Sequence, residues 1–197
     1  MQHVNTPPLV LASASSYRRE LLARLRLPFI AIAPGIDETA LPNELPEAQA
    51  LRLACAKAGA MRAVYPNALI IGSDQVAVID GVVLGKPVIH ANAVRQLQSA
   101  RGKSMTFLTA LCLLNTRTLR QQLSIVPTTV QMRDFNDVDI EHYLEKEQPY
   151  DCAGSAKIEG LGIALVKKLE CDDPSALIGL PLISLCDMLG NEGIKVL

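Results

Sequence analysis

The chain has 197 residues, 49% of them hydrophobic, enough to bury a full core without a disulfide or metal staple. Its 19 basic and 20 acidic side chains leave a formal charge of −1, so no global field gathers nucleic acid or anionic membrane and any anion site must be local. Five cysteines, scattered without a Cys-x-x-Cys pair, read as reduced core-filling thiols of a cytoplasmic protein.

The opening residues lack the basic start and long apolar middle of a secretory signal. Leu9 to Ala12 predicts a first strand ending in serines, and Arg18 to Leu27 a helix with leucines at 21, 22 and 25, stopped by Pro28. Phe29 to Ala33 is extended, and Pro34-Gly35 opens a loop carrying Asp37 and Glu38. Pro46 starts an alanine- and leucine-rich helix that stops near Tyr65-Pro66. Ala68 to Gly72 predicts a buried strand leading to Ser73-Asp74-Gln75, and Asp80-Gly81 between two β-branched runs predicts a hairpin. Residues 92–101 read as helix, Met105 to Leu114 and Leu123 to Met132 as strands, and 137–147 as helix. Gly160 to Val166 reads as a last strand, followed by a helix from about Pro181 to Leu189. The latter part of the chain, Ser175 to Leu189, is too interrupted for the roughly 20 apolar residues of a membrane span. Alternating strands and helices without repeat or linker predict an α/β fold with a mixed sheet, as one two-lobed unit spanning 1–197.

Phosphate chemistry needs convergent donors, and neither a P-loop nor a dinucleotide fingerprint is present. Ser13-Ala-Ser-Ser-Tyr-Arg-Arg falls where a strand turns into a helix, and free N–H groups, hydroxyls and guanidinium forks can meet a phosphate there. Helix capping explains the same serines. Asp74 follows an apolar strand, the end where ligands gather in α/β folds, yet a turn-capping aspartate fits equally. Taken alone, Lys86 in Gly85-Lys86-Pro87 is an ordinary turn lysine, and Lys57 among alanines is a snorkelling surface lysine. Residues 154–160, Gly-Ser-Ala-Lys-Ile-Glu-Gly, fit a polar loop, and Asp172-Asp173-Pro174 a turn and helix start. His3, His90 and His142 are isolated, so zinc is not indicated.

The joint order of S-x-S-x-x-R-R, D-E, K, S-D-Q, G-K-P and G-S-x-K-x-E-G resembles the Maf-like nucleotide pyrophosphatases over roughly residues 9–190. Ser16 departs from the proline usual there. The resemblance implies an elongated α/β fold with a central cleft, related to the ITPase-like folds. It also implies cleavage between the α- and β-phosphates of a nucleoside triphosphate, a divalent cation (Mg²⁺ or Mn²⁺), and often a homodimer. It assigns Asp74 as the catalytic proton acceptor and matches Ser13, Arg18, Glu38, Lys57 and Lys86 to other active-site positions. Glu38 and Asp74 are oxygen donors suited to the metal, and whether Asp74 is base, ligand or both stays open. At three positions that vary between subgroups, Tyr17, Gln75 and Glu159 resemble the 7-methyl-GTP pyrophosphatase set, whereas the dTTP/UTP type has arginine, threonine and glutamine.

Two other readings compete with 7-methyl-GTP cleavage: a house-cleaning enzyme for other modified nucleotides, and a non-enzymatic nucleotide-binding regulator of cell division. A nucleic-acid-binding module is disfavoured by the balanced charge and unclustered aromatics.

Overall fold

The computed structural model describes residues 7–197; the reading of the first residues as leaderless, and His3, fall in part or wholly outside them. Among the described residues, seven strands form one mixed sheet in the order β2-β1-β3-β5-β6-β7, with β4 paired to β3. β1 (Leu9–Ala12), β2 (Phe29–Ile32) and β3 (Leu69–Ile79) lie parallel. β4 (Val82–Leu84), β5 (Ser104–Asn115), β6 (Gln121–Met132) and β7 (Val166–Cys171) continue the sheet antiparallel. The helices are α1 (Ser16–Ala23), α2 (Pro46–Ala60), α3 (His90–Ala100), α4 (Asp137–Glu147), α5 (Pro174–Ile178) and α6 (Leu182–Asn191). No helix among the described residues is long and apolar enough to cross a membrane.

Side-chain alternation on the strands sorts the core into separate bodies. Leu9, Leu11, Leu69 and Ile71 face α1 and α6, while Val10, Ala12 and Ile70 face the alanines of α2. Farther along β3, Ala77 and Ile79 enter a different cluster with α3, α4 and the β5 residues Met105 and Phe107. Between these cores lie Ser73, Asp74 and Gln75. The long strands β3 and β5 thus tie two lobes together, and the polar triplet sits at the waist.

Several elements follow their local signals. Asp80 and Gly81 both have positive φ, 49° and 78°, as the two-residue β3–β4 hairpin requires. Asn136 caps α4 in a reciprocal capping box with Asp139. Asp173 caps α5, accepting from the Ser175 N–H at 2.9 Å, as the Asp-Asp-Pro reading expects.

Three expectations are corrected. The first helix starts at Ser16 and ends at Ala23, short of Pro28, because Arg26 turns left-handed at φ 55°. Asp74 does not follow a strand end: β3 runs through Ser73-Asp74-Gln75, which pair with Leu111, Ala110 and Thr109 of β5. Gly160 to Val166 is no strand; Leu161–Leu165 closes into 3₁₀ turns, with the Gly162 N–H donating to the Lys157 carbonyl at 3.0 Å, and β7 begins at Val166.

Candidate active site

A cleft of about 720 Å³ opens at the waist, and Ser13, Tyr17, Arg18, Glu38, Lys57, Asp74, Gln75, Lys86 and Glu159 all line it. Four regions separated in sequence supply these residues: the β1–α1 turn, the loop after β2 with α2, the β3–β4 hairpin with the segment after it, and the loop before β7. What brings them together is the sheet order, which places β1 beside β3 and hangs the hairpin from β3.

On the α2 side, Lys57 Nζ lies 2.7 Å from Asp74 Oδ1 and 3.0 Å from Glu38 Oε1. Lys57 is not the snorkelling lysine its alanine neighbours suggest, since its side chain is only 6% exposed and points inward. Burial pushes the Asp74 carboxyl above the ordinary carboxylate range, while the charges of Lys57 and Arg18 oppose the rise. α2 comes this close because Gly72 has no side chain; a Cβ there would lie 2.1 Å from the Ala54 carbonyl oxygen.

On the opposite face, Ser73 and Gln75 bind the end of α5. Ser73 Oγ reaches the carbonyl oxygens of Ala110 at 2.8 Å and Gly179 at 2.9 Å. Gln75 Nε2 donates toward Thr109 Oγ1, Ala176 O and Leu177 O at 2.9, 3.0 and 2.9 Å. The amide nitrogen is therefore committed, and the oxygen is the end of Gln75 with no protein partner among the described residues.

In the β1–α1 turn, Ser15 caps the helix by accepting from the Arg18 N–H, and Ser13 Oγ accepts from the Ser15 N–H at 3.1 Å. Ser16 is the first helical residue, a position where proline also fits, so the departure removes no bond. Arg18 Nε donates to Gly179 O at 2.7 Å, which fixes the guanidinium at the cleft wall. Burial lowers the Arg18 pKa, and the nearby Asp74 and Glu38 charges oppose the fall.

Lys86 is exposed in the segment that follows β4 and forms no ion pair among the described residues. Asp151 and Glu159 also line the cleft, near enough to each other for their charges to interact. Glu159 has solvent access, yet withdrawal of water by the walls pushes its carboxyl up, helped by the charges of Glu147 and Asp151. The Tyr17 phenol is pushed up to about 12 by burial and by Cys152 and Asp151, so it stays neutral. Lys157, itself 2.7 Å from Glu147, holds its ammonium 5.7 Å from the centre of the Tyr17 ring.

Two residues of the site carry no local sign of their part in it: Lys157 lies in a polar loop, and Gly179 ends a short helix. The Gly179 carbonyl joins Arg18 and Ser73, partners more than a hundred residues away. No group of three or more His, Cys, Asp or Glu converges as a metal cage among the described residues. The carboxylates Asp74 and Glu38, drawn to one ammonium, fit the sparse oxygen set with which Mg²⁺ is held alongside phosphate and water.

A family model described as Maf-like protein matches residues 8–192. The chain is 59% identical to a 7-methyl-GTP pyrophosphatase of Methylobacillus flagellatus over 191 residues, 97% of this chain and 100% of that protein. It is 57% identical to a protein of the same name from Thiobacillus denitrificans over 192 residues, 98% and 96% of the two chains. A third, from Nitrosospira multiformis, is 56% identical over 188 residues, 95% of each.

Proposed function

The chain belongs to the Maf-like protein family, and from that premise we propose that it hydrolyses the α–β phosphoanhydride bond of 7-methyl-GTP, releasing 7-methyl-GMP and pyrophosphate. The observation that carries this reading is that one cleft is lined both by cationic side chains, Arg18, Lys57 and Lys86, and by a pair of neighbouring carboxylates, Asp151 and Glu159. A triphosphate needs the first. A guanine made cationic by N7 methylation suits the second.

In this reading the cationic side chains offset the charge of the triphosphate, which otherwise repels an attacking water. Asp74, ionised, takes a proton from that water as its oxygen bonds to phosphorus and the bond to the leaving phosphate oxygen breaks. Lys57 and Arg18 oppose the burial that favours a neutral Asp74, and so keep the base ready. Ser13 and the N–H groups of the β1–α1 turn add neutral donors to phosphate oxygens. Asp74 and Glu38 would hold a divalent cation, Mg²⁺ or Mn²⁺, which when bound supplies further neutralisation of phosphate charge. In the same cleft, Glu159 accepts from the N1–H and N2–H₂ edge of the base, Tyr17 offers a ring face, and Gln75 presents its free oxygen. The enzyme acts in the cytoplasm, where reduced thiols persist.

The test is pyrophosphate release by purified protein from 7-methyl-GTP, GTP, ITP, XTP, dTTP and UTP, before and after chelation and re-addition of Mg²⁺ or Mn²⁺. Fastest turnover of 7-methyl-GTP, lost on chelation and restored by metal, is expected. Preference for dTTP, or no release from any nucleotide, overturns the assignment.

A further inference from the structure

Two loops bound the cleft from the side of α3 and α4: the Gly85-Lys86-Pro87 turn and the 152–160 segment that carries Glu159. Each is held in a conformation that residues with a Cβ seldom adopt, with Val88 at φ 64° and Ser155 at φ 58°. Both conformations are fixed by hydrogen bonds. The Val88 N–H donates to Tyr150 O at 3.1 Å, the Ile89 N–H to Pro87 O at 2.7 Å, and Asn92 Nδ2 to Pro87 O at 2.9 Å. Ser155 O accepts from Tyr143 at 3.1 Å, and the Lys157 N–H donates back to the same phenol at 2.9 Å.

One side chain joins the two loops. Gln96, on α3 and outside the cleft lining, donates through Nε2 to Gly85 O at 3.0 Å and accepts through Oε1 from Ser155 Oγ at 2.5 Å. Its amide orientation is dictated, because a carbonyl oxygen only accepts and so must meet the nitrogen. The backbone link beside it, Gly154 N–H to Gly85 O, is longer at 3.3 Å. Gly85 immediately precedes Lys86, and Ser155 lies four residues before Glu159.

We infer that Gln96 is a positioning residue that sets the spacing between Lys86 and Glu159, so that one nucleotide reaches its phosphate contact and its base contact together. The inference rests on the roles proposed above for those two loops. Its physical basis is linkage: a ligand bound at both ends gains from the second contact only if the separation of the two sites matches its own length. A ligand that touches one loop gains nothing from that match.

The experiment compares wild type with Gln96→Met, which keeps side-chain length and removes both bonds. The expected result is a fall of about 10- to 100-fold in kcat/KM for 7-methyl-GTP, the scale on which small misplacements act. Inhibition by inorganic tripolyphosphate and by 7-methylguanosine, each held at one end, should stay within about twofold of wild type, as linkage predicts. Gln96→Glu, which still accepts from Ser155 but sets an anionic oxygen against Gly85 O, should fall at least as far. The inference is overturned if Gln96→Met leaves kcat/KM near wild type, or if both fragments weaken as much as the whole nucleotide, the mark of general loosening. If the wild type prefers another triphosphate, the comparison uses that nucleotide and its own nucleoside, so the substrate reading and the role of Gln96 fail separately.

Discussion

Lys57 Nζ sits between two carboxylates, and the shorter of its contacts, 2.7 Å, is to Asp74 on the neighbouring strand β3. The pair couples a buried carboxylate to a buried cation. Its chemistry is testable one residue at a time.

Asp74→Asn keeps the shape and an acceptor for Lys57 but cannot take a proton. We expect kcat to fall by about 10²–10⁴, the usual range for losing a positioned acid–base group, with the melting temperature little changed. Steady-state kinetics beside circular-dichroism melting checks both halves. Near-wild-type turnover would remove Asp74 from catalysis.

Lys57→Met should move the acid limb of the kcat/KM profile to higher pH. A general base works ionised, so the rate falls as pH drops through its pKa. Burial raises the Asp74 pKa and the Lys57 charge lowers it, so losing the ammonium leaves the rise less opposed. A pH–rate series on both proteins decides, and a limb that stays put or moves down contradicts the coupling.

Arg18 and Lys86 should separate fold from binding. Lys86 is exposed and pairs with nothing among the described residues, so Lys86→Ala should raise KM or lower kcat at unchanged stability. Arg18 also donates to Gly179 O, so Arg18→Ala should lose activity and about 1–3 kcal/mol of stability, because a charged hydrogen bond goes with the charge. Arg18→Lys retains the cation without the fork and should recover only part of the loss. Urea denaturation beside kinetics tells the cases apart; equal stability loss in both alanine variants speaks against this division.

Base choice should depend on Tyr17, Gln75 and Glu159. Glu159→Gln is expected to reduce kcat/KM for 7-methyl-GTP more than for GTP, since the lost charge matters most to a cationic base. Tyr17→Arg with Gln75→Thr and Glu159→Gln should shift preference toward dTTP and UTP. The triple variant will also be less stable, because threonine cannot span from β3 to Ala176 and Leu177 as Gln75 does. Equal losses on every nucleotide would sink the specificity reading and leave the hydrolytic one intact.

Much of this architecture is legible in local sequence. The hairpin at Asp80-Gly81, the cap at Asp173 and the boundaries of α4 follow from short-range chemistry, and the structure keeps them. Ser73-Asp74-Gln75 looks like a strand end in sequence, because three polar residues inside a core strand have no local justification. Their justification is tertiary: Lys57, Gly179 O and Thr109 satisfy them from elsewhere in the chain. The run Leu161–Leu165 presents the converse case, apolar enough for a strand yet drawn into turns by the Gly162 bond to Lys157 O. Lys57 shows the same limit, since an alanine-flanked lysine looks exposed until the face of α2 it occupies is known to be the inner one. For the site, only the joint order of motifs pointed to residues that the sheet then gathers into one cleft.

The missing side chain at Gly72 divides the freedom of this enzyme to evolve. There, backbone rests against backbone, and even one added methyl group would meet the carbonyl of Ala54. The separation of α2 from β3, and with it the reach from Lys57 to Asp74, leaves no adjustable residue for mutation to work on. Tyr17 and Glu159 hang instead from a helix start and a loop, where a substitution alters contacts without shifting the sheet. A lineage built on this scaffold can change what Tyr17 and Glu159 contact while inheriting the Lys57–Asp74 pair intact.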